Sequence, residues 1–151
     1  ASGAGATAAS ADAADDAVRL PDALTLEAVE VVDDAKLAAC YALLARGDRG
    51  RTVVFANAIA STRTLATALA ALKVPHVAPL HAAMKQRQRL KAIDGFSKGD
   101  RGVLVATDVA ARGLDVKNVT TVIHYDVAQT LKTFVHRAGR TARAGAAGRS
   151  V

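Results

Sequence analysis

Tryptophan is absent from the 151 residues, and aromatic side chains amount to only 3% of them. So few rings argue against recognition of nucleobases by stacking on Tyr or Phe platforms. A single cysteine, Cys40, excludes an internal disulfide. It falls on the apolar face of a predicted helix and reads as a buried, inert thiol in an intracellular setting. That cysteine and the four histidines show no metal-ligand spacing, so no metal site is expected. No apolar run approaches the roughly 20 residues of a membrane span, and no cleavable signal or lipidation site is visible; no membrane partner is expected. Two phosphate-chemistry motifs are missing as well. The chain contains neither G-x-x-x-x-G-K-[ST], whose backbone amides cradle phosphates, nor an Asp-Glu-Ala-Asp run to hold magnesium.

What is present suits one compact unit. The length falls in the single-domain range, and 51% hydrophobic residues provide a core that needs no staple. Residues 1–18 are Ala/Gly/Ser-rich and acidic, and are expected to be disordered or the remnant of a linker. The folded domain is expected over 19–151, truncated near its last strand, because the chain stops at Gly148-Arg149-Ser150-Val151 where another strand should begin. The net charge of +6 conceals a polarity: residues 1–40 carry two basic and eight acidic side chains, whereas residues 81–151 carry thirteen basic and five acidic. A basic half implies polyanionic partners, with phosphate contacts supplying affinity rather than sequence choice.

Hydrophobic periodicity predicts alternating strands and helices. A half-exposed strand is expected over Leu24–Val31. A helix follows, capped by Asp33 or Asp34, with Leu37, Tyr41 and Leu44 on one face and Gly47 at its end. Strands follow near Thr52–Ala56, His76–Leu80, Gly102–Ala106 and Val119–His124, with helices near Ser61–Leu72, Lys85–Phe96 and Thr130–Ala138. Leu131, Phe134 and Val135 should face inward from the last helix. Alternation of this kind, with right-handed crossovers, predicts an α/β domain of three layers, a mainly parallel sheet with helices on both faces.

Two segments carry chemistry. His136 to Gly145, HRAGRTARAG, combines four basic side chains, two glycines and a hydroxyl. Arginine presents a planar fork of donors that matches phosphate oxygens, so Arg137, Arg140 and Arg143 suit a polyphosphate. The plain alternative is a solvated basic helix end. Ala106 to Asp115, ATDVAARGLD, follows the apolar run Val103-Leu104-Val105 and opens a loop at a strand's carboxyl end, where open α/β sheets bind ligands. Gly113 allows close backbone approach, and Asp115 could accept hydrogen bonds from a ribose. Asp108 could equally cap a short helix, and Asp115 could end a turn.

Together and in this order the two segments resemble motifs V and VI of the DEAD-box RNA helicases. Gln86-Arg87-Gln88-Arg89 is similar to that family's Gln-x-x-Arg motif, and Val53-Val54-Phe55-Ala56-Asn57 to its motif IV strand; His136 and Thr141 favour the DEAD-box branch over other helicases. The resemblance runs from about Leu20 to the last residue. It implies the second of two RecA-like domains of an ATP-dependent RNA helicase, the phosphate loop and magnesium carboxylates belonging to the first. It further implies arginine fingers at Arg140 and Arg143, nucleotide contacts at Gly113 and Asp115, and contacts across the domain cleft from Arg112, His136 and Arg137. RNA contacts are implied for Gln86, Arg89 and Thr107. Ala58 stands where the family often has Thr or Ser, which leaves Asn57 as the motif IV ligand. Ala82 and Ala128 also depart from the pattern, and neither removes a charged ligand.

The implied cofactors are ATP and Mg2+, held mainly by the absent first domain. The implied partners are RNA, that first domain and a protein activator, for a monomeric enzyme whose isolated second domain is inactive. The stretch from His124 to Gly145 and the Leu-Pro-x-x-Leu-Thr start at Leu20 look most like the ribosome-assembly members. That would place a eukaryotic protein in the nucleus or nucleolus, and any other in the cytoplasm. Two competing readings stay open: a non-catalytic RNA-binding or scaffold domain of the same fold, and a domain that binds small nucleotides by itself.

Overall fold

The computed structural model describes residues 19–46, 50–112 and 116–151. The expected linker over 1–18, the helix stop at Gly47 and the nucleotide contacts at Gly113 and Asp115 lie outside the described residues. Six strands form one sheet: β1 (Leu24–Leu26), β2 (Arg51–Phe55), β3 (Val77–Leu80), β4 (Gly102–Ala106), β5 (Val119–His124) and β6 (Gly148–Ser150). Their order is β1-β6-β5-β2-β4-β3, and every pairing is parallel. The helices are α1 (Lys36–Arg46), α2 (Ile59–Ala71), α3 (Gln86–Lys98), α4 (Asp108–Ala111) and α5 (Leu131–Ala138). This is the expected α/β domain with a parallel sheet between two helical layers.

Alternation along the central strands sorts their side chains between the layers. Val53, Phe55, Leu104, Ala106 and Val122 pack with Phe96 of α3 and Ala110 and Ala111 of α4. Val54, Val103, Val105 and Ile123 pack with Cys40 of α1 and Leu65, Ala66 and Leu69 of α2. On α2 the buried residues Thr62, Leu65, Ala66 and Leu69 recur at helical spacing, so one stripe faces the sheet. Thr130 starts α5, its Oγ1 accepting from the Thr133 N–H at 3.1 Å. Burial pushes the Cys40 thiol up to about 12, which keeps it protonated and unreactive.

Four local expectations are corrected. The first strand ends at Leu26 instead of Val31, because its neighbour β6 is only three residues long and offers no further ladder. Asp33 and Asp34 open a 3-10 turn whose cap is Val32, with no side-chain cap bond. Tyr41 is 39% exposed, since Cys40 takes the inward position on that turn of α1. Leu131 points outward at 68% exposure, and the inner face of α5 is completed by Arg137 and Ala138 instead. The other element boundaries differ from the sequence reading by a residue or two, as helix and strand ends do.

His124, the last residue of β5, makes the packing sensitive to acid. Its ring stacks on Phe134 with centroids 4.7 Å apart, and Nε2 lies 3.0 Å from Ser150 Oγ. Burial, and next the charge of Arg137, push its pKa down to about 4, against an opposing pull from Asp108. An unfolded histidine takes its proton near pH 6.5, roughly, so acid favours the unfolded chain between that value and the folded one. This contribution to stability is complete above about pH 6.5 and is lost as pH falls towards 4. Urea melts should show about 2 kcal/mol less stability from this residue at about pH 5 than at about pH 7. His124→Gln should lose most of that pH dependence, and an unchanged slope would show that other groups carry it.

Candidate functional site

Parallel strands in this order bring the carboxyl ends of β5, β2, β4 and β3 side by side. Asp126, Asn57, Asp108 and His81 follow those ends and form one rim. Into it α5 delivers Arg137, which is 1% exposed and is among the largest fully buried side chains. Its Nε and Nη2 donate to the two carboxylate oxygens of Asp108, each at 2.7 Å. Nη2 also donates to Asn57 Oδ1 at 2.6 Å, and Nη1 to the Asp126 carbonyl at 2.7 Å. The guanidinium carbon stands 5.1 Å from the Phe55 ring centroid. A buried charge is tolerable only when paired and hydrogen-bonded, and both conditions are met by a bidentate carboxylate, two further acceptors and an aromatic face.

One sequence assignment changes as a result. Arg137 was expected to reach across the cleft; it is instead buried, with four of its five N–H donors bonded within the domain. Asn57, the expected motif IV ligand of RNA, is exposed; its Oδ1 accepts from Arg137 and its Nδ2 donates to the Val127 carbonyl at 3.1 Å. Its backbone N–H donates to Asp126 Oδ2 at 2.9 Å, and the other oxygen of Asp126 pairs with Lys36 at 2.8 Å. Burial works to raise the pKa of Asp126, but the bonds from Lys36 and Asn57, helped by the nearby cations, hold it below the usual value.

Beyond Arg137 the chain turns back towards β6 and presents the remaining basic residues. Arg112 and His136 are exposed, Arg140 is half-buried, and all three border one small cleft beside Arg137. Arg143 is exposed, with Nε donating to the Gly139 carbonyl at 2.9 Å. The loop is pinned by Thr141, 1% exposed, whose Oγ1 donates to the Val119 carbonyl at 2.6 Å. Ala142 and Ala144 both take left-handed backbone conformations at φ 53°, a cost of about 1 kcal/mol or more each for residues with a Cβ. Gly148 of β6 lets the loop approach closely, since a Cβ there would collide with Thr141 Oγ1 and the Ala142 nitrogen. Burial, and then the charge of Arg143, lower the pKa of Arg140. Two guanidinium groups gathered on a strained loop that is pinned to the first residue of β5 make a site suited to a polyanion.

The third set lies at the β3–β4 end of the rim. Gln86 is the exposed first residue of α3, and Arg89 is half-buried, with its Nη2 3.5 Å from the Ala110 carbonyl. Thr107 is 7% exposed and its backbone N–H donates to the Leu80 carbonyl at 3.1 Å. Asp108, Asp126, Arg63 and His81 were not assigned site roles from sequence. The partner of Arg137 lies 29 residues upstream, a spacing with no local periodicity to betray it. Among the described residues no group of three or more His, Cys, Asp or Glu could hold a metal ion, and no helix is long and apolar enough to cross a membrane.

Comparison with known proteins agrees with this geometry. Residues 35–145 match the helicase conserved C-terminal domain. The ATP-dependent RNA helicase mak5 of Aspergillus clavatus is 50% identical over 114 residues, covering 74% of this chain and 15% of that protein. The chain thus spans only about 15% of the length of such curated relatives. The crystal structure of the E. coli DEAD-box protein SrmB bound to regulator of ribonuclease activity A superposes with a TM-score of 0.72 at 35% identity, covering 84% of this chain and 73% of that one. The Mss116p DEAD-box helicase domain 2 bound to an RNA duplex gives a TM-score of 0.71 at 30% identity, covering 85% and 52%.

If Arg137 holds the rim together, Arg137→Ala should destabilise the chain by about 3 kcal/mol, the lower end for breaking a buried ion pair, because the Asp108 side chain is 31% exposed. Arg137→Lys should recover only part of that, since an ammonium cannot bridge both carboxylate oxygens and Asn57 together. Urea unfolding measures both, and a midpoint unchanged in Arg137→Ala would remove the residue from its structural role.

Proposed function

We propose, for a chain that belongs to the DEAD-box branch of the helicase conserved C-terminal domain family, that it acts as the second RecA-like domain of an ATP-dependent RNA helicase. The observation that carries the reading is the Arg137 network, which joins three motif-bearing segments at one rim and leaves Arg140 and Arg143 on the neighbouring loop. The partner domain contributes the phosphate loop and magnesium carboxylates that this sequence lacks. ATP, bound with Mg2+ mainly by that domain, supplies the phosphoryl group whose transfer to water drives the cycle. Transition-state charge in such a reaction is stabilised by preorganised cations, and Arg140 and Arg143 have the chemistry for it. Gly113 and Asp115 are the proposed nucleotide contacts of this domain. Arg112 and His136, exposed beside the cleft, are the proposed contacts to the partner domain.

RNA binding is assigned to Gln86, Arg89 and Thr107, groups suited to phosphate and sugar and so indifferent to base sequence. Asn57, exposed and held by its bonds to Arg137 and Val127, is the proposed motif IV contact. The parent enzyme is proposed to work as a monomer with a protein activator in ribosome assembly, and in the nucleolus if eukaryotic. This placement rests on the resemblance of the His124–Gly145 stretch, and the mak5 relatives are compatible with it.

By itself the chain should hydrolyse no ATP, because it offers cations but neither cradle nor metal ligands. A steady-state ATPase assay on the purified chain checks this, and turnover above background would contradict the two-domain reading. In the two-domain protein, Arg140→Ala and Arg143→Ala should each lower RNA-stimulated hydrolysis by about 10³-fold or more, the scale of an arginine finger. Normal turnover in both would favour the scaffold reading instead.

A further inference from the structure

Arg63 projects from the second turn of α2, exposed, and Nε donates to His81 Nε2 at 3.1 Å. Arginine has only donors, so the receiving nitrogen carries no proton and the imidazole is the neutral form protonated at Nδ1. Burial, and then the charge of Arg63, lower the pKa of His81 and favour that form. His81 itself is 3% exposed, and its Nδ1 has no hydrogen-bond partner. An unsatisfied buried nitrogen is a cost that calls for an explanation. Here the ring sits as a rigid neutral acceptor that fixes the direction of a surface guanidinium.

The direction is informative. His81 directly follows β3, and the carbonyl of its neighbour Leu80 accepts from the Thr107 N–H at 3.1 Å, so the pair stands next to Thr107 on the rim. On the opposite helical layer Arg89 of α3 meets the Ala110 carbonyl one turn beyond Thr107. Arg63 from one layer and Arg89 from the other therefore bracket Thr107. Among the described residues no carboxylate pairs with Arg63, and its terminal amino groups make no hydrogen bond. An oriented guanidinium with its bidentate end available is the geometry that accepts a phosphate.

We propose that Arg63 is a further phosphate ligand of the RNA-binding face, with His81 as its positioning residue. The inference rests on the RNA reading above and adds a contact from α2 that the sequence motifs did not include. Binding of fluorescein-labelled oligouridylate to the full chain, followed by anisotropy at several salt concentrations, tests it. Arg63→Ala should bind about tenfold more weakly, the scale of one charge-assisted hydrogen bond, and should flatten the slope of log affinity against log salt by about 0.7. An unrelated mixed-sequence strand should weaken alike. His81→Ala should lose much of the same slope, while His81→Gln, which keeps a neutral acceptor, should retain most of it. Arg89→Ala separates the two layers of inference. If Arg89→Ala weakens binding and Arg63→Ala does not, the Arg63 assignment is wrong and the RNA face stands. If neither variant changes binding, or the unaltered chain does not bind, both are overturned.

Discussion

A buried guanidinium organises this domain. Arg137 enters the rim from α5 with its charge almost wholly removed from water, a position that is stable only while Asp108, Asn57 and the Asp126 carbonyl all stay in place. Those acceptors come from the ends of three different strands, so the demand of one cation for partners sets the relation between β2, β4, β5 and α5. Asp126 extends the arrangement to the other helical layer through Lys36, whose Nζ also stands 4.7 Å from the Tyr125 ring centroid. Ionic and packing constraints coincide there, and His124, stacked on Phe134 beside Arg137, is kept neutral by the same surroundings.

The basic residues divide by what surrounds them. Arg137 is spent on structure, and Arg51 likewise donates to the Ser97, Gly99 and Lys117 carbonyls, tying β2 to the loops at the opposite end of the sheet. Arg140 and Arg143 ride on a loop whose shape is held by Thr141, by left-handed alanines and by the absence of a Cβ at Gly148. The charge of Arg143 lowers the pKa of Arg140, after burial, so the two guanidinium groups sense each other on that loop. Gln86, Arg89 and Arg63 lie at the β3–β4 end of the rim, the side proposed above to meet RNA.

Much of the fold was legible in the linear chain. Val53-Val54-Phe55 and Val103-Leu104-Val105 are short apolar runs of the kind that a parallel strand covered on both faces requires, and both are central strands. Periodicity failed where neighbours decide. Leu131 fits an apolar stripe but faces solvent, Tyr41 yields its place to Cys40, and the strand expected to reach Val31 ends with its three-residue partner. None of those outcomes can be read from the residue itself, because each depends on what lies across a gap in space.

The sequence by itself determined the alternating α/β pattern, the basic character of the second half and the membership in a helicase family. Apolar period, charge and motif order are properties of neighbours along the chain. Which arginine is structural and which is presented was decided only by tertiary structure. Arg137, Arg140 and Arg143 share one segment and one chemistry, yet Arg137 meets a carboxylate 29 residues away and is buried, whereas Arg143 is exposed. The fate of Asn57 and the pairing of Arg63 with His81 belong to the same class. They arise from side chains that only the folded sheet brings within hydrogen-bonding distance, and the strength of such bonds depends on burial, which no local sequence pattern encodes.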